Sequence, residues 1–143
     1  MAMDAAATQP NLNRKPARAL RIIVADDNRD TATSLAVVLR DEGHEVLEVY
    51  RGDAVLRLAA QTKPDVLILD IGMPGMTGFE IAHALRQQLG AACPLLIAVT
   101  AWTQRTAREL GKLSGFSHYL TKPCATSDLL DILASLQISG PAR

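Results

Sequence analysis

Three short runs in this chain are apolar at nearly every position: Leu20-Arg21-Ile22-Ile23-Val24-Ala25, Val66-Leu67-Ile68-Leu69 and Leu95-Leu96-Ile97-Ala98-Val99. A strand with one face in water alternates apolar with polar residues, whereas a strand covered on both faces reads as continuously apolar. The three runs therefore predict inner strands of a parallel sheet that carries helices on both faces. Strand-like runs lie near 20–25, 44–49, 65–70, 94–99 and 116–120. The second, His44-Glu45-Val46-Leu47-Glu48-Val49-Tyr50, alternates and carries acids, which places it at a sheet edge.

Helical periods fill the gaps, over 31–42, 53–61, 77–89, 103–111 and 127–137. Leu35, Val38 and Leu39 share one face of the first, and Gly43 stands where it should stop. Thr77 followed three positions on by Glu80 has capping-box spacing. The sum is an α/β fold of type (βα)₅, and right-handed crossovers place helices on both faces of its doubly wound sheet.

At 143 residues the chain is one domain's worth. Residues 1–18 read as a flexible lead-in, 19–138 as the domain and 139–143 as a short tail. Apolar residues make up 48% but aromatics only 3%, so the core is aliphatic. With 15 basic and 15 acidic residues there is no basic stripe of the kind that binds nucleic acid, and the expected target is a protein or a small ion. No apolar stretch approaches the roughly 18 residues of a membrane span, and the start lacks a signal-peptide core, which predicts a cytoplasmic protein. Cys93 and Cys124 then read as reduced, mostly buried thiols.

The chemistry lies at the ends of the runs. Asp26 and Asp27 follow the first, Asp70 closes the third, Thr100 closes the fourth and Lys122 follows the fifth. In an open parallel sheet ligands bind outside the carboxyl ends of the strands, so these five residues should converge. Two carboxylates about 5 Å apart repel by roughly 3 kcal/mol at an effective dielectric of about 20. Such a cluster takes up a proton or holds a divalent cation. Oxygen-only ligation favours Mg²⁺, or Mn²⁺ in its place, and argues against zinc, for which His44, His83 and His118 show no ligand spacing.

A metal, a carboxylate and a lysine together suit phosphoryl transfer, in which an Asp serves as nucleophile and forms an aspartyl phosphate. The cation and Lys122 would neutralise the equatorial oxygens, and the Thr100 hydroxyl could bond one of them. Lys122-Pro123, right after a strand, is a candidate cis peptide that aims the ammonium back into the crevice.

From about residue 20 to 136 the chain resembles the receiver domain of two-component response regulators, including the single-domain chemotaxis type. The matching pieces are Val24-Ala25-Asp26-Asp27-Asn28, Leu69-Asp70-Ile71-Gly72-Met73-Pro74-Gly75-Met76, Val99-Thr100-Ala101 and Leu120-Thr121-Lys122-Pro123, in this order. The resemblance implies a five-stranded sheet in order 2-1-3-4-5. It implies Asp70 as phosphoacceptor, Asp26 and Asp27 as the acidic pair handling Mg²⁺, and the backbone carbonyl of Gly72 as a further metal ligand. Thr100 becomes the switch hydroxyl, Lys122 the phosphate partner and Tyr119 the aromatic switch residue. The implied donor is a phosphohistidine on a sensor kinase or histidine phosphotransfer domain. The implied output is a downstream protein target or a homodimer, for which the leucine-rich final helix is suited. The motif style is closest to receivers attached to hybrid kinases.

The resemblance implies a switch rather than a turnover enzyme. The competing reading is a haloacid-dehalogenase-type phosphatase, but that family wants a second Asp at the position held here by Gly72. A receiver-shaped binding module that works without phosphorylation is the other alternative. Singly, Asp26 or Asp27 could merely cap a helix. Gly72 and the bulky Trp102 bear on phosphoaspartate lifetime in opposite senses, one leaving room for water and the other blocking it.

Overall fold

The computed structural model describes residues 18–139. Most of the lead-in and all but the first residue of the tail, as drawn from sequence, lie outside the described residues. Five strands, β1 Arg21–Ala25, β2 Glu45–Val49, β3 Val66–Leu69, β4 Leu95–Thr100 and β5 His118–Thr121, alternate with five helices. These are α1 Arg29–Asp41, α2 Gly52–Thr62, α3 Gly78–Leu89, α4 Arg105–Ser114 and α5 Thr126–Ser139, with a 3₁₀ turn at Gly90–Ala92 after α3. All neighbouring strands are parallel, and the order is β2-β1-β3-β4-β5. The (βα)₅ reading, the strand order and the edge position of the second run all hold.

The continuous apolar runs have a simple geometric cause. Successive side chains of a strand point to opposite faces. Ile23 and Ala25 of β1, Leu67 and Leu69 of β3 and Leu96 and Ala98 of β4 join one core, with Val55 and Ala59 of α2 and Ile81 and Leu85 of α3. Ile22 and Val24, Val66 and Ile68, and Ile97 and Val99 join the other, with Ala32, Ala36 and Leu39 of α1 and Leu129 and Leu133 of α5. Apart from Arg21 at the start of β1 and Leu95 at the start of β4, every position of the three inner strands is therefore buried, and the one polar residue among them, Thr100, closes β4.

Helix bounds differ from the periodicity by up to three residues. α1 begins two residues before the periodicity predicts, because the Asn28 carboxamide accepts the Thr31 amide at 3.0 Å. Gly43 follows that helix with φ of 95°, as a C′ glycine does. Thr77 and Glu80 form the reciprocal capping box. α4 lies later than its polar period suggests, ending against Gly115 rather than at Gly111. Arg18, assigned to the lead-in, is already held: its carbonyl accepts from Gln137 Nε2 at 2.7 Å. Among the described residues no helix is long and apolar enough to cross a membrane. Cys93 and Cys124 are free thiols, half-buried rather than buried, and burial pushes both thiol pKa values up.

Leu67 sits at the centre of the middle strand with no exposed surface. Leu67→Ala is expected to lower unfolding stability by about 2–5 kcal/mol, read from urea denaturation at unchanged slope.

Candidate functional site

β1 and β3 are adjacent while β2 lies on the far side of β1, so the order in which successive strands are added across the sheet reverses at β1. Such a switch point opens a crevice at the carboxyl ends of the strands. Ala25 and Leu69 are partners in register, so Asp26 and Asp70, the next residue on each strand, stand side by side. The backbone pins both, with Asp26 N donating to Val49 O at 3.0 Å and Asp70 N to Ala25 O at 2.9 Å.

Asp26, Asp27 and Asp70 each offer a carboxylate oxygen within 4.8 Å of the others. Among the described residues this is the one group of three or more His, Cys, Asp or Glu side chains so placed. The donor set is hard oxygen only, which fits Mg²⁺ or Mn²⁺ and does not fit zinc. His44 is occupied with structure: its Nδ1 accepts the Leu20 amide at 3.1 Å, and burial pulls its pKa down against the opposing charge of Glu42.

Lys122 arrives from the other end of the sheet. Its amide donates to Thr100 O at 2.8 Å, continuing the β4–β5 ladder one residue further. The Lys122–Pro123 peptide is cis, as expected. The ammonium donates to Asp26 Oδ2 at 2.8 Å and to Asp70 Oδ2 at 2.9 Å, bridging the two acids. Burial works against its charge, but the bonds to Asp26 and Asp70 and their negative charges outweigh it, and its pKa is raised above the ordinary 10.5.

The second oxygens of the same acids are also engaged. Asn28 N donates to Asp26 Oδ1 at 2.9 Å, and Gly72 N to Asp70 Oδ1 at 3.1 Å. Asn28 was not singled out from sequence, although its type and place before a helix are the signal for a cap. By capping α1 it leaves Asp26 and Asp27 free of the capping role they could have had.

Thr100 is fully buried, and its Oγ1 accepts the Trp102 amide at 3.2 Å. Tyr119 donates its hydroxyl to the Trp102 carbonyl at 2.8 Å, and burial raises its pKa, keeping it a donor. Both switch candidates thus meet the same residue of the β4–α4 loop. Gly72 and Trp102, weighed separately in the sequence, are in contact. A Cβ added at Gly72 would lie 3.0 Å from Trp102 Nε1 and 3.2 Å from Cζ2. The indole lies where a side chain at 72 would go, and it leans on Phe79 with ring centroids 6.1 Å apart.

A doubly wound parallel sheet that gathers acids at its switch point is the architecture of a phosphoacceptor domain in two-component signalling. Residues 22–134 match the response regulator receiver domain, and the chain belongs to that family. It is 37% identical over 110 residues to Protein PilH of Pseudomonas aeruginosa, covering 77% of this chain and 91% of that protein. It is 33% identical to the DNA-binding response regulator MtrA of Mycobacterium tuberculosis, again over 77% of this chain but only 47% of MtrA. The chain thus spans about half of that longer relative. Among solved structures, the chemotaxis protein CheY4 of Vibrio cholerae superposes with a TM-score of 0.75 at 30% identity, over 81% of this chain and 97% of that one. Receiver domains are signalling modules that work with histidine kinases or phosphotransfer proteins.

The Lys122 pKa is higher folded than unfolded, so its contribution is whole below about 10.5 and is lost as pH rises through the raised value. Lys122→Met, which strands two carboxylates, is expected to lower stability by about 1–3 kcal/mol at neutral pH. The gap to wild type should close in strongly alkaline solution. Thermal melts of both proteins across pH check this, and a gap that widens with alkalinity would refute the ion pair as its source.

Proposed function

We propose that Asp70 is the phosphoacceptor of this receiver domain, and that its phosphorylation remodels the surface around α4, β5 and α5. The observation that carries the reading is the bridge from the Lys122 ammonium to Asp26 at 2.8 Å and Asp70 at 2.9 Å, which ties one member of the acid pair to the acceptor. Asp26, Asp27, Asp70 and the carbonyl of Gly72 would hold Mg²⁺ or Mn²⁺. Bound there, the cation supplies charge neutralisation on the phosphoryl oxygens.

An Asp70 carboxylate oxygen attacks the phosphorus of a phosphohistidine on a sensor kinase or histidine phosphotransfer domain. A P–O bond forms, the P–N bond breaks, and the imidazole leaves with the bonding pair. Lys122 exchanges a carboxylate contact for a phosphoryl oxygen. The Thr100 hydroxyl accepts from Trp102 and still has its own proton to donate to another phosphoryl oxygen. Any shift of Thr100 reaches the Trp102 amide, and through its carbonyl the Tyr119 hydroxyl. Driving such a switch from 1:99 to 99:1 takes about 5.5 kcal/mol of differential stabilisation, much of which new charge-assisted bonds to a phosphate dianion can supply.

The domain is then a switch rather than a stand-alone turnover enzyme, read by a downstream protein or by a second copy. The cytoplasm, where kinases make phosphohistidine from ATP, is the compartment that supplies its donor. The domain is read as 19–138, and the bond from Gln137 Nε2 to the Arg18 carbonyl at its near edge supports counting Arg18 with it.

Acetyl phosphate with Mg²⁺ is expected to label the wild type and leave Asp70→Asn unlabelled. Mg²⁺ alone should raise the melting temperature of the wild type and do so far less for Asp27→Asn. Labelling of Asp70→Asn to the wild-type extent would sink the assignment. A separate expectation concerns lifetime. The indole covers Gly72 beside the acceptor, so Trp102→Ala should admit water and speed the loss of label, measured as phosphoprotein decay after the donor is removed.

A further inference from the structure

Glycine is the costliest residue after proline in a helix interior, so one that is buried there needs a packing reason. α4 buries only two residues, Ala107 and Gly111. A Cβ built at Gly111 would lie 2.8 Å from Tyr119 Cδ2 and 3.0 Å from Cε2. Real Cβ atoms do not come that close, so the tyrosine ring rests directly on the backbone of the helix. The far end of the same ring is tied down, since its hydroxyl donates to Trp102 O at 2.8 Å. The Arg108 guanidinium, one turn before Gly111, lies 5.4 Å from the ring centroid.

We propose that Gly111 is the socket that admits Tyr119 to its loop-bonded position, and so is a positioning residue for the response to phosphorylation. This rests on the phosphoacceptor reading given above. A methyl group at 111 and the present place of the ring exclude one another. One of them must move: the ring swings out and releases the Trp102 carbonyl, or α4 lifts away from β5. In either case the link from Thr100 through Trp102 and Tyr119 to α4 is cut at its last step, while Asp26, Asp27, Asp70 and Lys122 are untouched. α4 has little else to hold it, which is why a single glycine can control it. Gln104 caps its start with no side-chain bond, and its two buried side chains are a methyl group and a hydrogen.

The test compares wild type, Gly111→Ala, Tyr119→Ala and the double variant, each as the full chain. Trp102 is the sole tryptophan and reports on the loop by its emission. Gly111→Ala is expected to take label from acetyl phosphate as the wild type does, but to lose most of the emission change on adding beryllofluoride and Mg²⁺. Its melting temperature should fall. In the Tyr119→Ala background the same substitution should raise the melting temperature, because only the helix preference for alanine remains. Rescue by the double variant of a Gly111→Ala protein that does not fold would support the socket equally well. A wild-type emission response in Gly111→Ala, or an equal drop in melting temperature in both backgrounds, would overturn it. Absence of label on the wild type would count against Asp70 as acceptor instead, and the sign reversal in the melts would still decide the role of Gly111.

Discussion

The ammonium of Lys122 holds together a rim that would otherwise repel itself. Three carboxylates with oxygens within 4.8 Å of one another stand where β1 and β3 end, and backbone register leaves Asp26 and Asp70 no way to part. Like charges this close cost several kcal/mol at an effective dielectric of about 20. A cation bonded to Asp26 and Asp70 at under 3 Å offsets that cost, and its own burial is outweighed by the same two bonds. The arrangement is poised because Lys122 is shared. A change at Asp70 is felt at Asp26 through the shared ammonium, and the amide of the same lysine bonds the Thr100 carbonyl at the end of β4.

From that rim the structure leads outward through one residue. Trp102 donates its amide to Thr100, accepts from Tyr119, and lays its indole over Gly72. Thr100 at the end of β4 therefore has a short hydrogen-bonded route through Trp102 to Tyr119, whose ring lies on α4. α4 is suited to respond. Segments with few buried apolar contacts lie at the low end of local stability, from which moving elements are drawn. The central strands, whose residues are buried on both faces, stay fixed and give the site its frame.

Much of this was legible in the chain itself. Continuous burial of β1, β3 and β4 was written in their apolar runs, and the acids of β2 marked it as an edge. The acidic crevice was legible for the same reason, since polar residues at the ends of buried strands have one place to go in a parallel sheet. The early start of α1, the limits of α4 and the partners of Asp26 were not. They turn on a single side-chain bond or on where a weakly anchored helix comes to rest, and a polar periodicity does not encode either.

Sequence by itself determined the architecture and that Asp26, Asp27, Asp70 and Lys122 meet at one rim, because continuous apolar runs need cover on two faces and a parallel sheet brings their carboxyl ends to one edge. Tertiary structure decided how those side chains are coupled. That Lys122 bridges Asp26 and Asp70, that the indole of Trp102 occupies the space beside Gly72, and that Tyr119 lies on Gly111 are contacts between segments up to 96 positions apart. Their existence depends on the paths of loops and on angstrom-scale clearance, which close packing sets only once the whole fold is assembled.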